Sequence, residues 1–140
     1  MEDSKNKFVI FSHGSTYDKL HQVATLALTA SALGRDVQVI LMFWVIKKLA
    51  MGNLDDVDFP VEYDEYSEDV KRLLKEKNIP SVTQMFADAR QVGQFRLVAC
   101  SAGLEYMGVE HDRLAGLVDE VLGLPAILRM TFDAETTLFI

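Results

Sequence analysis

The amino-acid sequence predicts a single α/β domain built on a mainly parallel sheet of about four to five strands. Three observations lead there. Short apolar, β-rich runs alternate along the chain with longer stretches of helical periodicity, the pattern of crossover units rather than of hairpins. The run from Asp36 to Met42 has no polar alternation beyond Gln38, as a parallel strand covered on both faces requires. The chain has 140 residues, 49% hydrophobic and 25% charged, enough for one core of ordinary composition without a covalent staple.

Phe8 to Phe11 is the first strand, closed by the turn-forming Ser12-His13-Gly14-Ser15. Leu20, Val23, Ala24, Ala27 and Leu28 then recur at helical spacing, with Asp18 as the expected cap and Gly34 suited to the left-handed residue past the end. The second strand follows from Asp36, and the resulting crossover is expected to be right-handed. Phe43-Trp44 opens a short amphipathic piece, Val45 to Met51, closed by Gly52-Asn53. Residues 52–66 read as a long acidic loop: from Asp55 to Asp69 there are eight carboxylates and no basic residue. Ser67 is the expected cap of the next helix, whose face is Val70, Leu73 and Leu74 and whose end carries Lys71, Arg72, Lys75 and Lys77. Ser81 and Gln84 form a capping box ahead of Val82, Met85, Phe86, Ala89 and Val92, and Gly93 ends that helix. Phe95 to Ala99 is a buried strand that meets a helix start at Ser101 to Leu104. Asp112 is read as the cap of a further helix with the stripe Leu114, Leu117, Val118, Val121 and Leu122, stopped by Gly123. Pro125 suits the first turn of a last short helix, and Thr136 to Ile140 is a terminal strand. The elements thus count four strands and about six helices in one domain, 1–140.

A net charge of −7 without a basic stripe argues against a nucleic-acid partner. The longest apolar run, Val39 to Ile46, is far short of a bilayer span, so no membrane insertion is expected; the polar segment Met1 to Lys7 does not resemble a signal peptide. One cysteine excludes an internal disulfide, a CxxC pair and a cysteine-rich zinc site, which together suggest a reducing cytoplasm. A disulfide between chains is the alternative.

That single cysteine, Cys100, falls where a strand meets a helix, at the edge of an open α/β sheet that faces the ligand crevice. Backbone N–H groups opening a helix favour an anion, and thiolate is the reactive form of cysteine. If the sheet is parallel, its first three strands bring the His13 loop, Phe43-Trp44 and Cys100 to one edge. The functional reading is a small pocket with Cys100 as nucleophile and His13, Phe43, Trp44 and Ser101 binding the substrate: His13 as proton carrier or anion partner, the aromatics excluding water. The alternative reading is a structural cysteine, since free cysteine behaves as a small hydrophobe. No metal site is expected, because the three histidines and Cys100 offer no pair at ligand spacing. Glu62, Asp64 and Glu65 give no catalytic geometry. Neither His13-Gly14-Ser15 nor the Gly103 region is a phosphate or dinucleotide fingerprint, so no cofactor is expected. Phe43, Trp44, Ile46, Leu49 and Met51 are more apolar than one short segment beside an acidic loop needs, which points to a subunit interface.

The order of Phe11-Ser12, Asp18-Lys19, Phe43-Trp44, Lys75-Glu76-Lys77-Asn78-Ile79-Pro80-Ser81, Leu97-Val98-Ala99-Cys100, Met107-Gly108 and the ending Thr137-Leu138-Phe139-Ile140 resembles the DsrE/DsrF-like sulfur-relay family over nearly the whole chain. The match is closest to a subgroup often labelled peroxiredoxin-like. The resemblance implies a Rossmann-like three-layer domain, a homo-oligomer such as a trimer or hexamer, and a cysteine, matched by Cys100, that carries sulfur as a persulfide or thiosulfonate. Relatives commonly have a Met-Ser-Met-Asp-like stretch after the cysteine, where Ser101-Ala102-Gly103-Leu104-Glu105 stands here, and a first loop shorter than His13 to Tyr17. The function expected from residues and resemblance together is a cytoplasmic sulfur carrier, with donor and acceptor proteins or small thiols as partners. The other readings are a non-catalytic module binding a small anion or nucleotide, a thiol redox sensor, and a purely structural subunit.

Overall fold

A computed structural model describes residues 6–140. Residues 1–5, which hold most of the polar amino-terminal segment discussed above, lie outside the described residues. Five strands form one sheet: β1 (Lys7–Ser12), β2 (Asp36–Leu41), β3 (Gln94–Cys100), β4 (Glu120–Leu122) and β5 (Thr136–Phe139). Their order is β4-β3-β2-β1-β5, and every neighbouring pair is parallel. The helices are α1 (Tyr17–Ala32), α2 (Trp44–Ala50), α3 (Ser67–Glu76), α4 (Val82–Val92), α5 (Ser101–Tyr106) and α6 (Leu124–Phe132). The expected α/β fold with a parallel sheet is therefore found, with five strands rather than the four counted along the sequence.

The connections β1 to β2, β2 to β3 and β3 to β4 all step in one direction, whereas β4 to β5 returns across the sheet. With right-handed crossovers this puts α1 and α4 on one face and α6 on the other, giving three layers. Phe8, Val37 and Phe95 are in register on the first of these faces, where the Phe86 ring of α4 stacks on Phe95 at 5.4 Å. Because successive strand residues alternate between faces, Ala99 belongs to the α4 side and Cys100 to the opposite one, with Val98 and Ile40. The core is Val9, Ile10, Val39, Ile40, Leu41 and Val98 of the sheet, with Leu20, Val23 and Ala27 of α1 and Ile127 of α6, all essentially inaccessible.

Two small residues bring α1 and α4 together. The Ser31 hydroxyl donates to the Ala89 carbonyl at 2.8 Å. A Cβ on Gly93 would lie 2.5 Å from the Ser31 carbonyl oxygen, so glycine is there for the close approach. Its φ of −171° is ordinary extended backbone. Val92, expected on the buried face of α4, is instead exposed.

Several expected caps are corrected. Asp18 does not cap α1: the N-cap is Thr16, and the Tyr17 N–H is taken by Asp58, through its carboxylate at 2.8 Å and its carbonyl at 2.9 Å. Ser67 is already helical, because a 3-10 turn at Val61–Tyr66 runs directly into α3 and makes Tyr66 the N-cap. Ser81 does cap α4, accepting from Gln84 N–H at 3.1 Å, but the Gln84 side chain turns away to Asp88, so the box is half formed. The Thr83 N–H is bound by Asp55 at 2.8 Å. The stretch 52–66 is thus neither all loop nor simply solvated; its carboxylates Asp58 and Asp55 cap α1 and α4.

The largest correction concerns 112–122. The stripe from Leu114 to Leu122 is not a helix. His111–Leu114 forms a 3-10 turn, Gly116 takes φ +77°, and Glu120–Leu122 is the edge strand β4, paired with Val98 to Cys100. A left-handed glycine in mid-stripe ends any helix. Asp119 then anchors the turn, accepting from Leu97 N–H at 2.7 Å and from Arg90 at 2.8 Å.

Candidate functional site at the carboxyl edge of the sheet

Strands β1, β2 and β3 are adjacent and parallel, so Ser12, Leu41 and Ala99 lie in register and the segments after them emerge side by side. The expected convergence is present in part. The His13 and Phe43 rings are 5.9 Å apart, Phe43 and Trp44 6.3 Å, and Phe43 and Tyr106 of α5 5.9 Å. Phe43 is the hub of an exposed aromatic cluster over this edge. Its backbone takes φ +48° and ψ −112°, a conformation that costs a bulky L-residue on the order of 1–3 kcal/mol and that clusters at functional sites. The turn is held by Met42 N–H donating to the Ser12 carbonyl at 3.0 Å and by the opening of α2 immediately after it.

Cys100 is the last residue of β3 and the N-cap of α5. It is only 2% exposed. Gly103, one turn further, is the hinge of the arrangement: a Cβ there would lie 2.5 Å from Ile46 Cδ1, 3.4 Å from the Phe43 nitrogen and 3.8 Å from Cys100 Cβ. Glycine at 103 therefore lets α2 pack closely on α5 beside the buried cysteine, with the Phe43 backbone also next to Gly103. Lys47 clamps the same two helices, its Nζ donating to the Met107 carbonyl at 3.3 Å. His13 is exposed, and among the described residues no hydrogen bond joins it to Cys100. Ser101 lines an open cleft of about 540 Å³ with Glu105, Gly108, Glu110 and His111. Cys100 is not among its lining residues, so the cleft runs beside the thiol without reaching it. Among the described residues no cluster of histidine, cysteine and carboxylates could hold a metal ion.

Two positions that an anion would favour at this edge are already filled by the chain. The strand order reverses between β1 and β5, where open sheets bind ligands, and there His13 and Gly14 N–H both donate to the main-chain oxygen of Ile140, at 2.8 and 3.2 Å. The N-terminus of α1 holds the Asp58 carboxylate, which is itself paired with Lys48 at 2.8 Å. Lys48 also donates to the Ser15 carbonyl at 2.7 Å, tying the acidic segment to the His13 loop. Beyond these, Tyr17 packs against His21 and Phe59, at 5.4 and 5.9 Å between ring centroids. Burial and the nearby Asp55 carboxylate raise the Tyr17 phenol, and burial lowers His21, whose Nε2 has no hydrogen-bond partner among the described residues.

Of the apolar residues expected at a subunit interface, Ile46 and Leu49 are buried in the chain's own core, while Phe43, Trp44 and Met51 remain exposed. Tyr106, Gly103 and Lys47 were not singled out by the sequence. Gly103 was within reach, as a glycine one turn after the only cysteine; Tyr106 and Lys47 join the site only through the packing of α2 on α5. No protein-family model matches the chain, and no curated protein matches it significantly.

Proposed function

We propose that this protein is a cytoplasmic, homo-oligomeric sulfur carrier of the DsrE/DsrF-like kind, a trimer or hexamer that holds sulfane sulfur on Cys100 and passes it between donor and acceptor proteins or small thiols. The observation that carries the reading is the placement of Cys100: the last residue of β3 at the carboxyl edge of a parallel sheet, buried at the start of α5 where Gly103 lets α2 and the strained Phe43 approach that helix closely. A carrier needs a nucleophilic sulfur, shelter from adventitious reductants and a docking surface, but no acid–base array. In the loading step the Cys100 thiolate attacks the outer sulfur of a donor persulfide; a new S–S bond forms on Cys100, the donor's S–S bond breaks, and the donor leaves as its thiolate. No external oxidant is consumed. Burial at 2% supplies the shelter and makes loading depend on a local opening of the α5 roof. The same burial argues against a sensor that works by a Cys100 disulfide between chains, and the occupied anion positions at β1 and α1 argue against an anion-binding module. Among the described residues, no helix is long and apolar enough to cross a membrane.

Intact-protein mass spectrometry after incubation with polysulfide or thiosulfate tests the proposal. Wild type gains sulfur mass that a reductant releases, and Cys100→Ser gains none while keeping its fold by circular dichroism. A serine variant that still loads, or a wild type that takes sulfur from no donor, overturns it.

A further inference from the structure

Ser101, which follows Cys100 and opens α5, borders a cleft of about 540 Å³. Its polar lining is Ser101, Glu105, Glu110 and His111, and Leu104 and Val109 supply an apolar wall. Elsewhere the chain spends carboxylates on its own fold: Asp55, Asp58 and Asp119 take up backbone N–H groups of α4, α1 and β3. Among the described residues, by contrast, none of the four polar side chains of the cleft makes a hydrogen bond or an ion pair. The charge of the lining has one sign. It holds two carboxylates and no ammonium or guanidinium. The nearby cations Lys47 and Arg113 line an adjoining cavity of about 190 Å³, which Glu110 also borders; there each donates at 3.3 Å to a main-chain carbonyl, of Met107 and Ala50, rather than to a carboxylate. A cleft so lined attracts a small cation, offers acceptors for its protons, and repels an anion.

We infer that this cleft binds a small aminothiol, a molecule with an ammonium at one end and a thiol at the other, and that such a thiol is the acceptor of the sulfur held on Cys100. The ammonium donates to Glu105 and Glu110, the methylenes lie against Leu104 and Val109, and the sulfur faces Ser101, one residue from the carrier thiol. What the cleft binds rests on its lining alone; what the bound thiol does rests on the sulfur-carrier reading. In the transfer step the acceptor gives its thiol proton to solvent and its thiolate attacks the outer sulfur of the Cys100 persulfide. A new S–S bond forms on the acceptor, the S–S bond on Cys100 breaks, and Cys100 leaves as its thiolate. No oxidant or reductant is consumed. Because Cys100 does not line the cleft, the step needs the same local opening of α5 as loading does. Thiols of net negative charge are disfavoured in the same field, and the discrimination weakens as salt is added.

Three thiols of similar size test this on the full chain: cysteamine, 2-mercaptoethanol and 3-mercaptopropionate, which are cationic, neutral and anionic. In a Cys100→Ser background, which removes the sulfur chemistry, amide shifts of residues 101–111 in NMR titrations report binding. Cysteamine is expected to bind about fivefold or more tightly than 2-mercaptoethanol, as two solvent-exposed ion pairs allow, and 3-mercaptopropionate to bind least. Glu105→Gln with Glu110→Gln erases that preference, whereas Glu62→Gln, outside the cleft, keeps it. With persulfide-loaded protein that retains Cys100, the ratio of transfer rates to cysteamine and to 2-mercaptoethanol falls by about the same factor in the double variant; comparing variants cancels the thiols' own reactivities. No charge preference in Cys100→Ser, or a preference that survives the double variant, overturns the cleft as an aminothiol site. A binding preference with unchanged transfer ratios overturns its role as acceptor port. If cysteamine binds as expected but wild type loads no sulfur, the site stands and the carrier reading falls.

Discussion

Removing the Asp58 carboxylate isolates what the acidic segment contributes to the fold. Asp58 accepts from the Tyr17 N–H at the start of α1 and is paired with Lys48 at 2.8 Å. In Asp58→Ala the Tyr17 N–H keeps the main-chain carbonyl of residue 58 at 2.9 Å but loses the charged acceptor at the start of α1, which costs about 1 kcal/mol, within the usual capping range of roughly 0.5–2. The Lys48 ammonium, whose side chain is only 9% exposed, then keeps its carbonyl acceptors but no counter-charge. That adds about 1 kcal/mol, held low because Asp58 itself is half open to solvent. The sum is about 2 kcal/mol, or roughly 6–8 °C in Tm for a chain of this size. Asp58→Asn retains an oxygen acceptor for Tyr17 and is expected to lose about half as much. Asp56→Ala, a neighbouring carboxylate with no side-chain hydrogen bond among the described residues, is the control and stays within about 0.5 kcal/mol. Urea and thermal unfolding of the three variants measure this. If Asp58→Ala and Asp56→Ala are equally stable, the segment is a solvated loop and its capping role is wrong.

Two further outcomes follow from the packing. Gly93→Ala puts a methyl 2.5 Å from the Ser31 carbonyl oxygen, a main-chain atom that cannot rotate away, and is expected to cost about 1–3 kcal/mol; Gly52→Ala meets no neighbour, and its cost comes only from φ +76°. Urea midpoints in which Gly93→Ala matches wild type would remove the close approach as the reason for that glycine. Burial lowers His21 from its ordinary value, so the unfolded chain binds its proton more readily than the folded one. The stabilisation is full above about pH 6.5 and is lost as pH falls through the lowered folded value. Unfolding midpoints measured from pH 7.5 to 5 should therefore drop more steeply for wild type than for His21→Gln, and parallel profiles would refute the assignment.

Much of the site was legible in the chain because it is made of strand ends. Once β1, β2 and β3 are read as parallel, His13, Phe43 and Cys100 must arrive at one edge, whatever the loops do. What the sequence left open is how the roof closes. Cys100 is buried at the start of α5, next to Gly103 and outside the lining of the cleft that Ser101 lines, and His13 reaches Phe43 instead of the thiol. These depend on the positive φ of Phe43 and on the contact between α2 and α5, neither of which any local pattern specifies.

The sequence by itself determined the α/β class, the parallel sheet and the bodies of α1, α4, β2 and β3. In each of these, apolar spacing, turn residues and burial favour the same local conformation, so short-range preference and tertiary packing agree. Only the tertiary structure decided β4 and the acidic segment. The apolar stripe from Leu114 to Leu122 fits a helix locally, yet its last three residues gain backbone hydrogen bonds and a covered face by pairing with β3, a partner about twenty residues away in sequence. Asp58 and Asp55 look like solvated charges until α1 and α4 present unpaired N–H groups within reach, about 41 and 28 residues distant along the chain. Both outcomes turn on satisfying backbone groups across the fold, which no local window of the sequence contains.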